Sequence, residues 1–129
     1  MVVEEKRIVI RDVITVRKDR TVASVNSLMG YFNLDALIVT DVDEPVGIIT
    51  ETDIEKRVLD KELDPYLVSV GEICSKPLLW VRYNTTLYEV AQIMEEEKIK
   101  KLPIFGKLNS GPVLLGLYVY EPSEIELEN

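Results

Sequence analysis

A chain of 129 residues, 47% hydrophobic and 29% charged, suits one compact domain and is too apolar for wholesale disorder. With 15 basic against 23 acidic residues, its net charge of −8 argues against non-specific binding to DNA, RNA or anionic lipid. It has no histidine and a single cysteine, Cys74, which excludes the commonest general base, Ser-His and Cys-His pairs, an internal disulfide and a cysteine-rich zinc site; Cys74 reads as a reduced structural thiol.

Along the chain, the opening Val2-Val3-Glu4-Glu5-Lys6-Arg7 places charges where a signal peptide needs an apolar core. The β-branched run Ile14 to Val16 predicts a short strand, and a helix follows from Thr21, with Val22, Val25, Met29 and Phe32 at helical spacing on its buried face. Strands are expected over Ala36 to Thr40 and Val46 to Thr50, joined by Asp41-Val42-Asp43-Glu44-Pro45. Asp41 and Asp43 read as solvated turn acids, since a hard cation needs a planned loop with about six or more oxygens. A second helix, from about Thr52 to Lys61, places Ile54, Val58 and Leu59 on one face, and Asp64-Pro65 marks a boundary. Ser69-x-x-Glu72 opens a short helical turn as a capping box.

Leu78 to Val81 predicts the next strand, followed by a helix from Thr86 whose first turn, Thr86-x-x-Glu89, fits a capping box. Leu87, Val90, Ala91 and Met94 form its inner stripe, with the methionines as gap-fillers. Glu96 and Glu97 precede Lys100 and Lys101 by four residues, the spacing of solvated ion pairs, but Ile99 and Pro103 end the helix before the lysines. Two strands, Leu102 to Phe105 and Val113 to Val119, close the pattern around a loop carrying Asn109, Gly111 and Pro112. The longest apolar stretch, Val113 to Tyr120, is only 8 residues, far short of a membrane span. With a lone cysteine and no export signal, the expected compartment is cytoplasmic, and the acceptor-like Asn84-Thr85-Thr86 reads as a chance match.

The chain repeats itself. Shifted by 65 residues, Val16 to Val39 lies over Val81 to Ile104 without a gap, and Val16/Val81, Arg17/Arg82, Thr21/Thr86, Val25/Val90, Met29/Met94 and Leu37/Leu102 are identities. Each copy reads strand, helix, strand, strand, and reaches an apolar-Gly-apolar step at Val46-Gly47-Ile48 and Leu115-Gly116-Leu117. The expected fold is mixed α/β: two pseudo-twofold repeats, residues 7–62 and 63–125, each a small three-stranded sheet with two helices, packed sheet to sheet.

Gly47-Ile48-Ile49-Thr50-Glu51-Thr52-Asp53 fits a Gly-apolar-x-Thr/Ser-x-x-Asp/Asn signature at every position, and Lys101-Leu102-Pro103-Ile104 fits a basic-apolar-Pro-Val step. In register with the repeat, these motifs resemble a tandem pair of CBS domains, a Bateman module, over roughly residues 7–125. The resemblance implies a cleft between the repeats for an adenosine-containing ligand, AMP, ADP, ATP or S-adenosylmethionine. It assigns Thr50 to the phosphate or ribose side, Asp53 to the ribose hydroxyls, Lys101 and Lys100 to phosphate, and Ile14 and Leu37 to the adenine. A carboxylate accepts two hydrogen bonds from a cis-diol, and a hydroxyl at a helix start helps cradle an anion. Thr50-x-x-Asp53 is equally the pattern of a helix cap, and both roles draw on the same free N–H groups.

The copies then diverge. At the positions of Thr50 and Asp53 the second has Val119 and Pro122, while Ala36-Leu37-Ile38 replaces the basic-apolar-Pro step in the first. One working cleft per chain is therefore expected, with a truncated final helix over Pro122 to Asn129 and exposed apolar surface that favours pairing with another chain. The implied function is a ligand-sensing, non-enzymatic regulator acting as a homodimer on an unidentified protein, with no metal, DNA or membrane partner. The alternative is a structural dimerisation module that has lost its ligand.

Overall fold

The computed structural model describes the backbone of residues 2–126 and the side chains of residues 7–121, so the side chains of Val2 to Lys6 and of the acidic tail past Glu121 lie outside it. In chain order the elements begin with β1 (Val2–Arg11), β2 (Ile14–Arg17), α1 (Val22–Phe32), β3 (Ala36–Asp41) and β4 (Glu44–Thr50). Next come α2 (Glu51–Ile54) with a π-helical continuation (Glu55–Leu59), and α3 (Val70–Ile73). The remainder is β5 (Val81–Arg82), α4 (Leu87–Glu97), β6 (Lys101–Leu108) and β7 (Gly111–Glu126). They divide into two compact units, Val13–Leu79 and Met1–Asp12 with Trp80–Asn129.

The Val13–Leu79 unit carries a three-stranded sheet in the order β2-β3-β4. β2 and β3 run parallel, Ile14 opposite Leu37, which requires a crossover; α1 supplies it. Thr21 caps α1 by accepting from the Ser24 N–H at 3.2 Å, and the helix ends where Asn33 turns left-handed at φ 53°. Val22, Val25 and Met29 from α1 pack with Leu37, Val39, Ile49, Ile54 and Val58 in one buried cluster. Ala36 and Ile38, on the opposite face of β3, are also fully buried, so this strand is apolar on both faces from Ala36 to Val39.

Three local expectations change. Phe32 ends α1 and is exposed, its ring edge-on to Tyr31. Leu59 also faces solvent: the Asp60 N–H donates to the Glu55 carbonyl at 2.8 Å and the Leu63 N–H to that of Val58 at 2.9 Å, and this wider winding rotates Leu59 off the face shared by Ile54 and Val58. The connection from β3 to β4 tightens to Val42-Asp43, with φ of 46° and 65°, because a two-residue hairpin turn needs two left-handed residues. A β-branched residue pays about 1–2 kcal/mol in that conformation. Val42→Asn is therefore expected to stabilise the chain by about 1 kcal/mol, read as a higher urea midpoint at unchanged m-value; an unchanged or lower midpoint would refute strain at this turn.

The second unit has a four-stranded sheet in the order β1-β7-β6-β5. β5 and β6 are parallel, linked through α4, and β6 and β7 form an antiparallel hairpin. Leu78 to Trp80 precede the strand; β5 itself is only Val81–Arg82. In place of a truncated final helix, β7 runs on to Glu126 and pairs along its length with β1, from Arg11 opposite Leu117 to Val2 opposite Glu126. The cause lies in the diverged positions. Thr50 and Asp53 turn the first repeat out of its sheet into α2, whereas Val119 and Pro122 offer no such cap and the chain stays extended. Val90, Met94, Leu102, Ile104 and Tyr118 form the buried cluster here, and of the expected α4 stripe Leu87 and Ala91 are exposed.

The two last strands are closed in a matching way. Beside β4 runs the Cys74–Ser75 segment: the Ile48 N–H donates to the Ser75 carbonyl at 3.1 Å and the Ser75 N–H returns to that of Ile48 at 2.8 Å. Beside β7 runs β1. Each repeat's final strand is thus edged by the segment that leads into the other repeat.

Candidate functional site

Thr50 is the last residue of β4 and the N-cap of α2. Its hydroxyl oxygen accepts from the Asp53 N–H at 3.2 Å, and Asp53 Oδ2 reaches back to the Thr50 N–H and hydroxyl, each at 3.0 Å. The other carboxylate oxygen accepts from the Ser75 hydroxyl at 3.2 Å and lies 3.7 Å from the Arg57 guanidinium, which also donates to the Ile73 carbonyl at 2.7 Å. Asp53 is left with 12% of its side chain exposed. Thr50 and Asp53 are therefore a full capping box, and both carboxylate oxygens are engaged from within the fold. A ligand hydroxyl reaching Asp53 would share or replace these donors, in a position held from two sides.

Ser75 and Arg57 complete the constellation and carry no motif. Arg57 was accessible to reasoning, since it stands four residues beyond Asp53 on a helix. Ser75 was not, because it arrives through the antiparallel bridge to Ile48. Gly47 has its own role: a Cβ there would lie 2.7 Å from Cys74 Sγ and 2.8 Å from the Ser75 carbonyl oxygen, so only glycine lets this segment close over β4. Cys74 is buried beneath it, and burial pushes its thiol above the ordinary range against a smaller opposing effect of Lys76.

Ile14, at the start of β2, keeps 39% of its surface exposed, whereas its neighbour Leu37 has none and packs among the core side chains of α1 and α2. Leu37 is in this structure a core residue and presents no surface to a ligand. Lys101 begins β6, partly buried and opposite Val119, and Lys100 is exposed, its carbonyl accepting from the Tyr120 N–H at 2.8 Å. These lysines belong to the unit of β5–β7, Thr50 and Asp53 to the other. Asp41 pairs with Lys18 at 3.1 Å, and among the described residues no group of three or more His, Cys, Asp or Glu is placed to hold a metal ion. No helix among them is long and apolar enough to cross a membrane.

A profile of the CBS domain matches the chain twice, at residues 3–60 and 70–117. An uncharacterised protein of Methanopyrus kandleri is 33% identical over 102 residues, 76% of this chain and 52% of that protein, so the chain spans about half the length of this relative. Among solved structures, a hexameric CBS-CP12 protein from bloom-forming cyanobacteria superposes with a TM-score of 0.73 at 34% identity, over 82% of this chain and 60% of its own. An uncharacterised conserved protein of Pyrococcus horikoshii gives a TM-score of 0.70 at 29% identity, covering 83% and 78% of the two chains.

Proposed function

Because the chain belongs to the CBS-domain family and carries the domain twice in tandem, we propose that it is a regulatory module sensing an adenosine-containing ligand: AMP, ADP, ATP or S-adenosylmethionine. The observation that supports this reading is the complete Gly47–Asp53 signature, with the Thr50 hydroxyl and Asp53 carboxylate held together by the capping box, Ser75 and Arg57. Such preorganisation lowers the ordering cost of recognising a ribose diol. In this reading Thr50 and Asp53 take the ribose and phosphate side, Lys101 and Lys100 take phosphate, and Ile14 packs on the adenine, with Leu37 supporting it from the core. The signal is a shift between arrangements of the chain or its homodimer, which requires the ligand to bind one arrangement better than the other. Self-association is supported by the hexameric cyanobacterial relative, and the output is a regulated protein rather than a reaction.

A second reading, a structural association module without ligand, is favoured by one observation: both oxygens of Asp53 already have donors inside the fold. A thermal-shift panel with the four ligands separates the two. A ligand at about one hundred times its Kd is expected to add about 2.7 kcal/mol of stability. Asp53→Ala should abolish that gain, and Lys101→Ala should weaken ATP at least about tenfold, the loss of one charge-assisted phosphate contact. No shift with any of the four at millimolar concentration would establish the structural reading.

A further inference from the structure

The repeat exposes in its second copy a helix face that it covers in its first. In the Val13–Leu79 unit α1 lies beneath the residues that follow Thr50. Ile54 and Val58 pack with Met29, while the Val22 N–H donates to the Val68 carbonyl and the Ala23 N–H to that of Pro65, each at 2.9 Å. Val22 is 0% exposed as a result. In the second unit the chain continues along β7, and no helix follows Val119 within the described residues. Leu87, at the position of Val22, is 58% exposed.

The uncovered face is a groove of about 690 Å³. Leu87, Ala91, Met94, Ile8, Ile99 and Tyr120 line its apolar part. Around it stand Arg7, Lys98 and Lys100 against a single acid, Glu95. Arg7 is shared with Glu121 at 3.6 Å. The covered copy has Asn33 and Asp35 where the open one has Lys98 and Lys100, so the basic rim belongs to the open groove alone. On a chain of net charge −8 this concentration selects a negatively charged visitor. It also disfavours a second copy docking face to face, because a twofold contact would bring Lys98 and Lys100 against their own counterparts.

We propose that this groove docks an amphipathic helix of a partner protein, with branched apolar residues at i and i+4 entering beside α4 and acidic residues on its flank facing Lys98, Lys100 and Arg7. Ile54 and Val58 have that spacing in the covered copy. Of the proposed ligand contacts the groove shares Lys100 alone; Thr50, Asp53 and Lys101 are not among its lining residues, and the proposal stands without them.

The test uses a fluorescein-labelled, helix-stapled peptide of residues 50–62 carrying Lys56→Glu and Arg57→Glu, titrated with the full chain and followed by anisotropy. Saturable binding is expected. It should weaken at least about tenfold with a peptide that keeps Lys56 and Arg57 and carries Glu51→Lys and Glu55→Lys, and with Ile54→Glu in the first peptide, as for loss of a buried anchor. Two chain variants at exposed positions, Ala91→Glu and Lys98→Glu, should each weaken it severalfold while circular dichroism confirms an intact fold. Lack of saturable binding at millimolar peptide, or equal binding by Ala91→Glu, would overturn the proposal. So would a sedimentation result in which Ala91→Glu turns a dimer into a monomer, since the groove would then hold a second copy.

Discussion

A chain lacking residues 2–11 is expected to lose protection from hydrogen exchange along β6 and β7 while β3 and β4 keep theirs. The deletion leaves one whole edge of β7 without its partner and takes Ile8 from the cluster around Tyr118 and Tyr120. Each lost ladder bond is worth about 1 kcal/mol and the partly buried Ile8 and Val9 add to that, so over the length of β1 the total approaches the 5–15 kcal/mol typical of a whole domain. The three strands of the other sheet do not pair with β1, which makes them the internal control. A synthetic peptide of residues 1–12 should restore protection when added back. If β6 amides stay protected without β1, the strand is an accessory and not part of the second repeat's fold.

The second large effect is expected at Gly47. A Cβ at this position would meet Cys74 Sγ at 2.7 Å and the Ser75 carbonyl oxygen at 2.8 Å. The second contact is to backbone, itself bonded to Ile48, so relief requires moving the closing segment and with it the Ser75 hydroxyl on Asp53. Gly47→Ala should cost about 1–3 kcal/mol, at the upper end because two contacts are violated at once. Gly30→Ala is the opposing control. Gly30 lies within α1 with nothing within 4 Å of its added methyl, so alanine should gain about 0.5–1 kcal/mol from helix propensity. Urea melts of the two variants should move in opposite directions, and a Gly47→Ala midpoint at or above wild type would refute the close-approach account. At Gly116 the corresponding contacts are 3.3 Å to Ile10 and 3.4 Å to Arg11, so alanine there should cost less than at Gly47.

Local chemistry made much of this fold readable from the chain. Thr21, Thr86 and Ser69 announce helix starts because a cap needs only a side-chain oxygen and the next few N–H groups. The offset of 65 residues carried the strand and helix order from one copy to the other. What stayed hidden depends on distant partners. The pairing of β1 with β7 joins segments at opposite ends of the sequence, and no local pattern names the partner. The resemblance assigned Leu37 to the adenine; the side chain is buried in the core, and because β3 is apolar on both faces alternation does not tell core from lining there. Leu59 satisfies a helical period that the π-helical winding breaks. At the candidate site, the Thr50–Asp53 pair was legible, whereas the Ser75 contact needed the fold.

The pairing of β1 with β7 also sets an order of events during synthesis. β1 is made before Val13–Leu79, yet every one of its partners, Leu117 to Glu126, is made after it. At roughly 5–20 residues per second the first strand therefore waits several seconds with its hydrogen-bonding edge open, while Val13–Leu79 emerges with all the strands of its own sheet. Such sequence-distant closure is slow even in the finished chain, because loop entropy must be met before the contacts form. In a growing polypeptide this unpaired strand is where a chaperone has most to protect.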